Sequence, residues 1–291
     1  MNFDDLKIYE CNFKKIRLGK KNDGGYIILD IDDYDAFISC GIERDISFDE
    51  AFIKKYQNIK KILAYDGTIR RLPKKNNRIK FVRRNIGPEE TRRTSNLHNI
   101  LENYKNVFLK MDIEGSEFEW INSLSANHLI NIKQLVIEIH YPFSKEKWNI
   151  FSKLNKTHYL CHIHGNNCRK NRIRNQINVG TSDTKIKKIE TNLSINKKIY
   201  FDKSFGQFKY KIINNILEIE RIDGNKWDKE LIIYFDYPKP IYVPDVFEAT
   251  YINKKFVNNP KLNTKSFPIK IEQPNNKYRK QHIFNSYPYI N

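Results

Sequence analysis

Short apolar runs recur through the first 165 residues, each bounded by polar stretches or a glycine. Tyr34 to Gly41 reads as a strand ending in a glycine turn, Lys61 to Gly67 as a second strand ending in an acid, and Ile79 to Gly87 as a third. Phe48 to Tyr56 and Leu97 to Tyr104 carry apolar residues at helical spacing. Val107 to Met111 is a continuous apolar run, the mark of a strand buried on both faces. A helix-like pattern follows it. Ile132 to His140 and Tyr159 to His164 supply a fifth and a sixth strand. Strands alternating with helices predict a parallel α/β sheet.

The texture changes from about Lys170 to Pro240. Alternating β-branched residues in Lys209–Ile213, Ile216–Ile222 and Leu231–Phe235, with an Asp223-Gly224-Asn225 turn, predict a small antiparallel insertion. Val246 to Ile252 predicts a strand that returns to the main sheet. After Asn258 the chain is rich in Asn, Pro and Lys and reads as an irregular surface tail. The expected organisation is a core over 1–168, a β-rich insertion over 169–240, and a last core strand with its tail over 241–291.

Open α/β sheets bind ligands at the carboxyl ends of their strands. The Val107–Met111 strand delivers Asp112 there, with Glu114, Gly115 and Glu117 behind it. A cap and two acids near a helix N-terminus would explain the same residues, and on this stretch alone the two accounts are balanced. Gly41 would let a ligand approach the backbone, and Asp66 stands where dinucleotide binders place the acid that accepts ribose hydroxyls. Ser39-Cys40-Gly41-Ile42-Glu43 lacks the glycine-rich phosphate cradle, so an adenosine without phosphates is favoured, S-adenosylmethionine rather than NAD. Ordinary turn chemistry is the competing account of Gly41 and Asp66. Asp23-Gly24-Gly25-Tyr26 is either a tight turn with positive φ at both glycines or a backbone-amide site walled by Tyr26.

Composition narrows the choice. The chain has 291 residues, 40% hydrophobic and 13% aromatic, enough for a large core. No apolar run approaches the roughly 18 residues of a membrane span. Met1 to Asp5 is acidic and lacks a signal-peptide pattern, which predicts a soluble cytoplasmic protein. Cys11, Cys40, Cys161 and Cys168 form no disulfide framework, which fits a reducing compartment. Cys161, His162, His164 and Cys168 suggest zinc only superficially, since in a strand the histidines face away from Cys161.

Lysines and arginines outnumber acids 52 to 34, a net charge of +18 that would attract RNA, a nucleotide-linked sugar or an acidic glycan. The lysines are scattered among Asn and Ile, as in the A/T-rich genomes of large DNA viruses or some bacteria. Such a source would place the chain in a cytoplasm or a virion. Only Arg70–Arg84 and Arg169–Arg174 form local clusters, and no nucleic-acid-binding module is visible.

Taken in order, the motifs resemble the FkbM-type family of class I S-adenosylmethionine-dependent methyltransferases. The resemblance rests on Arg17-x-Gly19-x-x-Asn22-Asp23-Gly24-Gly25-Tyr26, the Gly41 turn, Asp66, and Leu109 to Glu117. It continues through Val136 to His140, His162 to Asn167, and Pro244-x-x-x-Glu248-x-Thr250-Tyr251. It implies a Rossmann-like, seven-stranded, mostly parallel sheet and an O-methyltransferase acting on a sugar, glycan or small hydroxylated acceptor.

Carried over by position, Ser39, Gly41 and Glu43 would line the methionine end of the cofactor and Asp66 would hold its ribose. Asn85 and Ile86 would flank the adenine, and Asp112 would sit near the sulfonium. Asp23, Gly24, Gly25, Tyr26, Asn166 and Asn167 would meet the acceptor. His140, ending a strand at the active edge, is the first choice as base and His164 the second, with Asp112 or Glu114 as substitutes. A divalent ion held by Asp112, Glu114 and His140 suits an oxygen-rich acceptor, but the spacing demands no metal. The rival functions are an RNA methyltransferase and an inactive scaffold that binds glycans through the insertion.

Overall fold

The computed structural model describes residues 1–191, 198–201, 207–222 and 227–290. The Asp223-Gly224-Asn225 turn lies outside them. The chain divides into two compact units, one of residues 1–171 and 244–291, the other of residues 172–243.

In the larger unit a hairpin of β1 (Lys15–Gly19) and β2 (Gly25–Leu29) precedes a seven-stranded mixed sheet. The sheet strands are β3 (Ala36–Cys40), β4 (Lys61–Tyr65), β5 (Lys80–Val82), β6 (Val107–Met111), β7 (Ile132–His140), β8 (His158–Gly165) and β9 (Val246–Asn253). Their spatial order is β8-β9-β7-β6-β3-β4-β5. The strands from β5 to β7 pair in parallel, while β9 runs antiparallel to both its neighbours.

Register fixes what gathers at the carboxyl edge. Cys40 pairs with Tyr65 on one side and with Met111 on the other, so the next residues, Gly41, Asp66 and Asp112, emerge side by side. Every residue of β3, β6 and β7 is buried; β3 and β6 accordingly read as nearly continuous apolar runs, while β7 also buries Lys133, Gln134 and Glu138.

One face of the sheet is covered by α1 (Ser47–Lys55), whose Phe48 and Phe52 join Tyr34, Phe37 and Phe108 in an aromatic cluster. Ring centroids there lie as close as 4.2 Å, between Phe52 and Phe108. Removing Phe52 should cost about 3–5 kcal/mol of stability. The helices α2 (His98–Asn103), α3 (Glu117–Ser123) and α4 (Ala126–Asn131) precede α5 (Lys145–Asn155). Ser144 caps α5 by accepting the Lys147 N–H at 3.2 Å, and its buried face of Trp148, Phe151 and Leu154 repeats at three to four residues.

The predicted third strand divides. After Val82 the chain leaves the sheet, and Asn85–Ile86 pairs in parallel with Thr94–Ser95. The Arg84 guanidinium holds this detour by donating to Glu90 and to the Thr91 and Thr94 carbonyls. The stretch after Asn258 has little regular structure, yet Phe267, Phe284 and Tyr289 are buried, so it is packed rather than loose. No helix among the described residues is long and apolar enough to cross a membrane.

The smaller unit is all antiparallel strand. Trp227–Phe235 pairs with Gln176–Ser182 and Ile199–Phe201, and Ile216–Arg221 pairs with Ile186–Glu190 and Phe208–Ile213. Its own core contains Val179, Leu217, Ile219, Leu231 and Ile233.

Candidate active site

A cavity of about 290 Å³ opens at the carboxyl edge, lined by Gly41, Glu43, Asp66, Asn85, Ile86 and Asp112 together with Tyr65, Thr68, Arg84, Ile113, Glu114 and Ser116. Six of the seven residues expected to hold a cofactor therefore face one space. Ser39, the seventh, is fully buried within β3 and lines no part of it.

Gly41 has φ +71°, and a Cβ there would come within 1.6 Å of the Asp112 carbonyl oxygen. The close approach that requires glycine is thus to a neighbouring backbone. Its carbonyl accepts the Lys110 Nζ at 2.8 Å, a lysine planted inside an otherwise apolar strand.

Asp66 is held from both sides. Oδ1 accepts the Thr68 N–H at 2.7 Å and the Thr68 hydroxyl at 2.6 Å, and Oδ2 accepts the Glu43 N–H at 2.8 Å. Burial pushes its pKa up, but these donors outweigh burial and hold the carboxyl below the ordinary range. Asp66 therefore stays an acceptor, with lone-pair capacity left on Oδ2 for a further donor.

A second cavity, about 180 Å³, shares Gly41, Glu43 and Asp112 with the first and is also lined by Lys20, Asp23, Gly24, Tyr26, Arg44, Asp45 and Lys110. Three of the proposed acceptor residues, Asp23, Gly24 and Tyr26, lie here. Gly25 does not, and its φ is not positive. A side chain at Gly25 would meet the Arg17 guanidinium at 2.2 Å, so this glycine makes room for an arginine that binds the Lys20 carbonyl at 2.6 Å.

The sites expected to act on the acceptor hydroxyl fall into two groups. Asp112, Glu114 and His140 come together: His140 Nε2 is 3.5 Å from Glu114 Oε2 and 3.9 Å from Asp112 Oδ1. His140 lines neither cavity and sits behind these two acids. Buried Glu117 holds it, accepting the His140 N–H at 2.8 Å and lying 3.2 Å from Nδ1. Burial opposes charge on the ring, yet the carboxylates of Glu117, Asp112 and Glu114 overcome it and raise the His140 pKa. The basicity of the ring is therefore set by the acids around it more than by its burial.

His164 is drawn elsewhere. Its Nδ1 is 2.7 Å from Glu272 Oε2 and its Nε2 is 3.1 Å from Asn275 Oδ1, both on the C-terminal stretch. Asn167 joins the same lock, donating to the Asn276 and Arg279 carbonyls at 2.8 and 2.9 Å. Asn166 instead turns toward the acids, donating to Glu138 Oε1 at 2.9 Å.

Glu138 was not expected in the site. Its carboxyl is pushed well above the ordinary range by burial and then by the charges of Asp112 and Glu248. The signal was present: an acid two residues before His140, on the same face of an apolar strand. For Glu272 and Asn275 no such signal exists, because an Asn- and Pro-rich stretch carries no periodicity.

A ligand cavity at the carboxyl edge of an open α/β sheet, floored by a glycine turn and two strand-end acids, defines a class of small-ligand enzyme folds. Residues 20–168 match the model of the methyltransferase FkbM domain, and the chain belongs to that methyltransferase family. No curated protein and no solved structure matches the chain.

Proposed function

We propose that the chain is an S-adenosylmethionine-dependent O-methyltransferase whose acceptor is a sugar, glycan or other small hydroxylated compound, built on the Rossmann-like class I sheet. The observation that carries this reading is the convergence of Gly41, Asp66, Asn85, Ile86 and Asp112 on one cavity. The strand order, with one antiparallel strand inserted beside β7, supports the fold assignment.

When bound, S-adenosylmethionine supplies an activated methyl group whose carbon–sulfur bond breaks as the acceptor oxygen attacks. Asp66 accepts hydrogen bonds from the ribose hydroxyls, and Asn85 and Ile86 border the adenine. Asp112, common to both cavities, stands where cofactor and acceptor meet. The acceptor proton passes to the Asp112–Glu114 carboxylates, whose positions are set beside His140 Nε2, 3.9 and 3.5 Å away. Asp23, Gly24 and Tyr26 orient the acceptor so that its oxygen lies in line with the methyl group.

The acidic lining favours neutral hydroxylated acceptors over nucleic acid. Glu43, Asp23, Asp45 and Asp112 face the second cavity against Lys20, Arg44 and Lys110, so the net charge of +18 is not expressed there. Calorimetric titration with S-adenosylhomocysteine should give one site per chain, and Asp66→Ala should weaken it at least tenfold. Absence of binding to the wild-type chain would refute the cofactor assignment.

A further inference from the structure

We infer that the acid-lined mouth of the cleft is a divalent metal site, with Asp112 Oδ1, Glu114 Oε2 and His140 Nε2 as ligands and Glu138 facing the same point. One donor atom from each of the three ligand residues lies within 4.8 Å of the others. From His140 Nε2 the distances are 3.5 Å to Glu114 Oε2 and 3.9 Å to both Asp112 Oδ1 and Glu138 Oε2. Such gaps are too long for good hydrogen bonds. Two donors each about 2.1–2.2 Å from one cation, set 90–120° apart, lie roughly 3.0–3.8 Å from each other, so the 3.5 Å pair fits as it stands and the 3.9 Å pairs need close only slightly.

Two further observations point to a cation. His140 has only 10% of its side chain exposed, and among the described residues its Nε2 makes no hydrogen bond although it faces the three carboxylates. The opposite nitrogen is fixed by Glu117, whose side chain is fully buried. A carboxylate behind the ring, with the far nitrogen presented to a cluster of oxygens, is the arrangement that orients metal-binding histidines.

Asp112 Oδ1, in turn, is buried and has no hydrogen-bond partner among the described residues, while Oδ2 accepts the Tyr26 hydroxyl at 3.2 Å. An orphaned carboxylate oxygen is costly, and a cation satisfies it. One imidazole with two or three carboxylates suits a hard or borderline ion such as Mn²⁺ or Mg²⁺ and not a thiolate-seeking metal.

The ion's use, holding neighbouring hydroxyls of the acceptor beside Asp112, rests on the function proposed above; its binding does not. The test titrates the chelator-stripped full chain with MnCl₂ and follows the free Mn²⁺ resonance. One site per chain is expected. Glu114→Gln, at a side chain 73% exposed and so free of folding cost, should weaken it roughly tenfold or more, as should Glu117→Gln. Glu50→Gln, in an exposed pair with Lys74, should bind as the wild type does.

Mn²⁺ binding that is absent, or unchanged in Glu114→Gln, overturns the inference. S-adenosylhomocysteine binding to the metal-free chain separates the two readings. If it binds while Mn²⁺ does not, the metal falls and the cofactor stands; if Mn²⁺ binds at these residues while it does not, the cofactor falls and the metal stands.

Discussion

His140 and His164 lie at the same edge of the sheet, on β7 and β8 either side of β9, yet the fold surrounds them differently. His140 spends one nitrogen on buried Glu117 and leaves Nε2 facing three carboxylates at the cleft mouth. His164 spends both nitrogens on Glu272 and Asn275, which the C-terminal stretch brings over the edge. His162, on the same face of β8, is buried beside Glu272 at 3.5 Å. What the rest of the chain lays against a strand-end histidine thus decides whether one nitrogen is left facing the acids or both are tied into the fold.

The sharpest way to break this contrast is to substitute each histidine in turn. His140→Gln should cut methyl transfer per folded molecule by roughly 10–100-fold, the loss expected for a group that holds the acids in place. His164→Gln should leave turnover per folded molecule nearly unchanged but destabilise the chain by about 3–5 kcal/mol, since buried Glu272 loses its partner. Labelled methyl transfer across an acceptor panel, normalised to folded protein, measures the first, and urea unfolding the second. Equal losses of turnover would erase the distinction.

A smaller effect lies in the pH dependence of stability, where two histidines of β8 act with opposite sign. Burial lowers His158 to about 4, with the Ile132 carbonyl opposing. The unfolded chain therefore takes up the proton first, and stability is full above pH ~6.5 and falls by roughly 3 kcal/mol as pH drops toward 4. Burial also disfavours charge on His164, but Glu272 and Glu248 outweigh it and raise its pKa. Its contribution is complete below the unfolded pKa and disappears as pH climbs through the folded value. Melting temperatures from pH 4 to 9 should show a flatter acid limb in His158→Gln and a flatter alkaline limb in His164→Gln. Parallel curves for both variants and the wild type would contradict these assignments.

The mildest change tests the open end of the edge. Thr68→Val removes the 2.6 Å hydroxyl bond to Asp66 while leaving the backbone donors in place. A loss of about 1 kcal/mol corresponds to roughly fivefold weaker S-adenosylhomocysteine binding. Calorimetry that finds no change would mean that Thr68 does not tune the Asp66 carboxylate.

Local pattern carried much of the sheet and little of what closes it. The strands β3, β4, β6, β7, β8 and β9 lie where apolar runs predict them, because a strand buried on both faces is mostly apolar along its length. The division after Val82 was hidden, since Arg84 and its partners Glu90, Thr91 and Thr94 read simply as polar loop. Asn167, which its place after His164 suggests as an acceptor ligand, donates to the Asn276 and Arg279 carbonyls of the C-terminal stretch.

The sequence by itself determined where the strands fall along the chain and that Gly41, Asp66 and Asp112 follow the ends of three of them, because each follows from burial or turn chemistry within a few residues. Only the tertiary structure decided that Glu117 would aim His140 and that Glu138 would stand with Asp112. It alone decided that Glu272 and Asn275 would close off His164, more than 100 residues before them in the chain. Hydrogen bonds across such separations leave no periodicity in the sequence; they exist only once the sheet has set the two segments side by side.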